Sequence, residues 1–186
     1  MTIKRHWELT PLQELQMQCI KHYGPYSNEF PGGNPIHYMA FDPGEGTGWA
    51  TFNEKGYPTG WGNVYDDVNG VDTLLHSLDG MFETNLKPQV IIYEKWKLLK
   101  TKEFYGSTLL SSQVVGVIRA YGHRVSAELV SHETNINSVA EKWSGLKPVG
   151  AHAKQHWVLA FNHGWYELQL RKKVTPRILW NEPGGM

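Results

Sequence analysis

A chain of 186 residues, 40% hydrophobic and 12% aromatic, is long enough for one domain with a sizeable core and is not composed like a disordered segment. Its 18 Lys and Arg balance 18 Asp and Glu, so nucleic-acid contact has to come from a local basic patch and not from a basic domain. The single Cys19 excludes an internal disulfide and a cysteine-built zinc site, no apolar run reaches membrane-spanning length, and no signal-peptide core follows Lys4 and Arg5, so the expectation is an intracellular protein with no membrane partner.

Residues 10–23 predict a short helix capped by Thr10 with Pro11 at its first position. Gly24 to Pro35 is rich in Gly and Pro and has no periodicity, so residues 1–35 are expected to form a helical arm and linker, with the main domain over 36–170. Ile36–Phe41, Gly48–Asn53 and Gly60–Tyr65 are short aromatic and β-branched segments between turn-forming clusters, which predicts a three-strand meander. Asp66–Thr84 carries Val71, Leu74, Leu78 and Phe82 at helical spacing, and the unbroken apolar run Val90–Tyr93 predicts a central strand buried on both faces. Glu103–Tyr121 predicts a second helix, with Gly116 permitting close packing and Gly122 as its stop, followed by a fifth strand over Arg124–Val130. Residues 133–143 predict a short helix, and 151–170 a longer one with Trp157, Phe161, Gly164, Trp165 and Leu168 on one face. From Arg171 the chain is basic and then Pro- and Gly-rich, which predicts a flexible tail over 171–186.

Two carboxylates stand where chemistry is expected. Asp42 ends an apolar strand and enters the turn Pro43-Gly44-Glu45-Gly46-Thr47-Gly48, while Glu94 directly follows Val90-Ile91-Ile92-Tyr93. A turn alone explains an Asp-Pro-Gly, but a carboxylate at the end of a buried strand is harder to explain structurally. If the two strands are parallel neighbours, both carboxylates project at one sheet edge and offer oxygen ligands suited to Mg²⁺ or Mn²⁺.

The segments Phe41 to Ala50 and Ile91 to Glu94, with a helix containing Ser111-Ser112-Gln113-Val114-Val115-Gly116-Val117, resemble RuvC-type Holliday junction resolvases, particularly phage-borne ones. The resemblance spans roughly residues 36–170. It implies an α/β, RNase H-like fold, a mixed five-stranded sheet flanked by helices. It also implies a metal-dependent endonuclease that cuts branched or junction DNA as a homodimer, since resolving a four-way junction takes paired nicks.

In that family a first-strand Asp and a later-strand Glu bind metal, and the final helix opens with Asp-x-x-Asp or His-x-x-Asp. Here that place reads His152-Ala153-Lys154-Gln155, so Gln155 stands where an aspartate is expected. The implied two-metal site has Asp42 bridging both ions, Glu94 on one, His152 on the other and Gln155 as a weak neutral supporter. His156, four residues after His152, reads as a solvated or capping histidine, and His123, His132 and His163 read as surface or turn residues. Lys95, Lys97, Lys100 and Lys102 beside Glu94 are expected to contact DNA phosphates, against the plainer reading of a solvated loop. A second basic cluster follows the last helix at Arg171, Lys172, Lys173 and Arg177.

Two other functions fit parts of the pattern. Loss of the aspartate at Gln155 would suit a DNA-binding or structural protein on a nuclease fold. The Asp42 turn also resembles the phosphate-binding turn of actin-like kinases and ATPases, which however duplicate the core to clamp a nucleotide, whereas this chain has length for one copy.

Overall fold

The computed structural model describes residues 36–43, 46–56, 58–65, 70–83, 87–95, 105–144, 146 and 156–173. The expected N-terminal arm and the tail beyond residue 173 lie outside the described residues. Ten elements follow in order: β1 (Tyr38–Asp42), β2 (Gly46–Phe52), β3 (Pro58–Tyr65), α1 (Gly70–Glu83), β4 (Val90–Glu94), α2 (Tyr105–Arg124), β5 (Glu128–His132), a 3-10 turn (Thr134–Ile136), α3 (Asn137–Ser144) and α4 (His156–Leu170).

The strands form one mixed sheet in the order β3-β2-β1-β4-β5. β1 pairs antiparallel with β2 and parallel with β4, and β4 pairs parallel with β5. That meander, followed by parallel strands reached through helices, is the mixed five-stranded α/β sheet flanked by helices expected from the sequence.

Strand alternation splits the core in two. Met39, Phe41, Trp49, Ile91 and Tyr93 pack with Leu74 and Leu78 of α1 and Val114, Ile118 and Tyr121 of α2. Tyr38, Ala40, Ala50, Phe52, Val90 and Ile92 face the other way and meet Trp157, Phe161, Trp165 and Leu168 of α4, the stripe read from the sequence. Each of these α4 side chains is at most 1% exposed, a burial worth about 1.5–3 kcal/mol per side chain. β1 and β2 are buried along their whole lengths, so their charged or polar positions are enclosed by the fold.

Three local expectations are corrected. Gly122 does not end α2, which runs on to Arg124; a Cβ at Gly122 would sit 2.5 Å from Leu129 Cδ2, so glycine there lets the helix lie against β5. Gly116, expected at a packed helix contact, is exposed with nothing within 4 Å of a built Cβ. The fifth strand begins at Glu128 rather than Arg124, because Val125 and Ser126 make the turn, with Ser126 at φ 59°.

Candidate functional site

Asp42 continues the face of Tyr38 and Ala40, and Glu94 the face of Val90 and Ile92, so both carboxylates point to the side covered by α4. The parallel register pairs Phe41 with Tyr93, which brings the two strand ends together at the carboxyl edge of the sheet. On the next strand His132 pairs with Glu94. Three successive strands thus end in Asp42, Glu94 and His132.

Helix α4 crosses these ends with a polar stripe beside its apolar one. His156, His163, Glu167 and Arg171 recur at spacings of seven, four and four, which keeps them on one flank of the helix. Gly48, the register partner of Asp42, sets how closely the helix approaches: a Cβ there would fall 2.0 Å from the His156 carbonyl carbon and 2.4 Å from the Trp157 nitrogen. Asn63 Oδ1 on β3 accepts the Trp157 N–H at 2.8 Å and fixes the helix start.

The contacts form two short chains. His156 Nδ1 lies 2.5 Å from Asp42 Oδ2. His163 Nε2 lies 3.1 Å from Glu94 Oε2, His163 Nδ1 lies 3.3 Å from His132 Nδ1, and His132 Nε2 lies 3.0 Å from Glu167 Oε2. Arg171 donates to Glu167 at 2.8 Å and forks onto Glu128 at 2.6 and 3.1 Å. Asp42, His132, His163 and Glu167 are all under 9% exposed, so the pairing takes place away from water. The hydrogen bond from His132 holds the Glu167 carboxyl below the usual carboxylate range despite burial, with Arg171 adding to the effect. Arg171 in turn is held more firmly charged, first by its bond to Glu128.

The hydrogens along the second chain can run in either direction, since the role of each ring nitrogen depends on the tautomer. A neutral imidazole carries one N–H. If His132 donates Nε2–H to ionised Glu167, its Nδ1 is an acceptor, and His163 Nδ1–H fills it. His163 then turns a bare Nε2 toward Glu94 Oε2 at 3.1 Å. Two lone pairs cannot face one another at that distance in a buried site without a cation between them, either a further proton or a metal ion. Asp42, Glu94 and His163 offer ligand atoms all within 4.8 Å of one another, the one such cluster among the described residues that combines both strand-end carboxylates. Asn137 adds an amide nitrogen 3.4 Å from Glu94 Oε2, and its amide oxygen is buried with no hydrogen-bond partner among the described residues.

Of the residues expected from the sequence, Asp42 and Glu94 meet as anticipated. His152 and Gln155 lie outside the described residues, as do Lys97, Lys100 and Lys102. The imidazoles at the carboxylates are instead ones read as incidental: His156 is held by Asp42, and His132 and His163 are buried in the site rather than on the surface. His123 is exposed at the end of α2, as expected. Arg171, expected to begin a loose tail, is anchored by Glu128 and Glu167. The recurring seven-four-four spacing of His156, His163, Glu167 and Arg171 was the available signal for this set.

Lys95 carries on from Glu94 and pairs with Glu133 at 3.3 Å, both well exposed. It lines a cleft of about 410 Å³ with Tyr93, Ser112, Val115, Arg119 and Ser131, two cations and three hydroxyls on the α2 side of the sheet.

The chain matches no protein-family model and no curated protein. Solved structures similar to it include Thermus thermophilus RuvC in complex with a Holliday junction substrate (13% identity, 76% of this chain and 99% of that chain, TM-score 0.49). Others are fowlpox virus resolvase in complex with Holliday junction DNA (14%, 72% and 99%, 0.47) and the yeast mitochondrial Holliday junction resolvase Ydc2 (15%, 87% and 95%, 0.41).

Proposed function

We propose that this chain is a divalent-metal-dependent endonuclease acting on branched DNA. One observation carries the reading: two strand-end carboxylates and an imidazole nitrogen converge within 4.8 Å in a largely buried site. Two carboxylates and one imidazole are a donor set for Mg²⁺ or, better, Mn²⁺. Divalent ions held there would supply Lewis-acid activation of water and neutralise charge on the phosphate and the leaving oxygen.

The residues divide the remaining work. Asp42 and Glu94 hold cation charge at the sheet edge, and His163 supplies the neutral ligand. His156 donates to Asp42 Oδ2 and fixes which oxygen of that carboxylate stays free. His152 and Gln155, just before α4 in the sequence, are proposed ligands of a second ion. Lys95 and Arg119, with Lys97, Lys100 and Lys102, are proposed phosphate contacts that set the strand against the carboxylates. A homodimer, needed for paired nicks, completes the proposal.

The test is nicking of a synthetic four-way junction, a flap and a plain duplex with Mg²⁺ or Mn²⁺. Wild type is expected to cut the junction, and Asp42→Asn and Glu94→Gln to lose cutting while folding and still binding DNA. A variant that cuts at the wild-type rate would place the site elsewhere.

A second reading, a DNA-binding protein on a nuclease fold, is favoured by the His156–Asp42 contact, which occupies one oxygen of that carboxylate. Junction binding without nicking under either metal would select it.

A further inference from the structure

Resting on the metal-site reading, we propose that Glu167 and His132 are positioning residues that hold His163 with Nε2 toward Asp42 and Glu94, and so bias the site toward Mn²⁺ over Mg²⁺. Neither residue is within the ligand cluster. Both are buried, and they connect to it through an unbroken line of contacts, Glu167 Oε2 to His132 Nε2 at 3.0 Å and His132 Nδ1 to His163 Nδ1 at 3.3 Å.

The physical argument is one of direction. An imidazole is a ligand only through a nitrogen without hydrogen, so a histidine ligand works best when its other nitrogen has a dedicated acceptor. A backbone carbonyl commonly serves. Here the group beside His163 Nδ1 is a second imidazole, which accepts there when its own N–H sits on Nε2 beside the Glu167 carboxylate. Glu167 makes that arrangement firm, since it is itself clamped by Arg171, which Glu128 holds from β5. The same chain locks the ring plane and feeds electron density toward Nε2, strengthening it as a donor. Mn²⁺ accepts imidazole more readily than Mg²⁺ does, so a better imidazole donor favours Mn²⁺ selectively.

The experiment measures Mn²⁺ and Mg²⁺ affinity by calorimetry on the full chain, without DNA, for wild type, Glu167→Gln and Asp42→Asn. Glu167→Gln keeps the side-chain volume, but its amide can donate to His132 and reverse the line of hydrogens. Mn²⁺ affinity is expected to fall by about 10–100-fold, the usual cost of losing an outer partner of a ligand. Mg²⁺ affinity is expected to fall much less. Equal losses for both ions would mean a merely structural role, and no loss would mean no role; either overturns the proposal.

Asp42→Asn separates the two levels. If it retains full Mn²⁺ affinity, the metal-site reading itself fails, whatever Glu167 does. Should Glu167→Gln not fold, ¹⁵N spectra of histidine-labelled wild type loaded with diamagnetic Zn²⁺ decide the matter. His163 must then carry its hydrogen on Nδ1 and His132 on Nε2, and the reverse arrangement in either ring refutes the proposal.

Discussion

Substituting alanine at Gly48 tests the geometry of the whole site through one methyl group. The added Cβ would lie 2.0 and 2.1 Å from the His156 carbonyl carbon and oxygen and 2.4 Å from the Trp157 nitrogen. Carbon contacts settle near 3.5 Å, so the clash is roughly 1.5 Å deep. All three atoms are backbone, so no change of rotamer relieves it, and the first turn of α4 has to retreat from the sheet. Retreat breaks the Trp157 N–H bond to Asn63 and the His156 contact to Asp42. Overpacking costs about 1–3 kcal/mol, and giving up the buried Trp157–Asn63 hydrogen bond about 1–3 more. The sum, about 2–6 kcal/mol, is compatible with a folded domain of ordinary stability and lowers Tm by roughly 4–24 °C for a chain of this size. Displacing the site by about 1 Å lowers turnover on the order of 100-fold, well beyond the effect of the lost stability under conditions where the variant is folded. Calorimetry in EDTA and junction nicking at low temperature measure the two effects. An unchanged Tm with normal nicking would show that α4 does not seat on Gly48, and the His156–Asp42 contact would fall with it.

Gly116→Ala is the contrasting case: the position is exposed within α2 with nothing near the new methyl, so the variant is expected to gain about 0.5–1 kcal/mol in urea unfolding, and a loss would restore the packed-helix reading. Glu167 has a lowered pKa in the folded state, so unfolding takes up a proton. The stability it contributes is present above the ordinary carboxylate range and is lost as pH falls through the folded-state value; urea midpoints against pH in EDTA should show a flatter acid limb for Glu167→Gln. Lys95→Ala with Arg119→Ala should reduce the log–log salt slope of duplex binding by about 1.8 if both contact phosphates, and an unchanged slope would remove the cleft from the DNA path. Gln155→Asp should raise nicking at low Mg²⁺ by adding an anionic ligand, and no change there would mean that Gln155 does not face the ions.

The sheet and its two carboxylates were legible because their signals are local. Val90-Ile91-Ile92-Tyr93 reads as a buried strand whatever it packs against, and a carboxylate at its end is conspicuous in the same few residues. The turn after Asp42 is likewise rich in glycine, although the sequence does not say that Gly48 in particular must clear the backbone of a helix more than 100 residues away. The helix glycines show the same limit in reverse. Gly116 and Gly122 look equivalent on α2, and only the phase of the helix against β5 makes Gly122 the one in contact.

The histidines escaped for two different physical reasons. His132 was lost by register: a fifth strand read as Arg124–Val130 ends short of it, whereas the observed strand ends on it, opposite Glu94. A strand boundary in error by two residues is enough to move a side chain off the sheet edge. His156 and His163 were lost because the crossing of α4 over the strands is a tertiary quantity, set by Gly48 at one end and the Arg171–Glu128 fork at the other. What the sequence does carry is the second stripe. An amphipathic helix ordinarily sheds its polar face into water, yet here the stripe that includes His163 and Glu167 is buried together with the apolar one. Burying an imidazole and a carboxylate is costly unless each meets a partner. A helix that is polar on one flank and buried on nearly all sides therefore calls for complementary groups beneath it, and the ends of β1, β4 and β5 supply them as Asp42, Glu94 and His132.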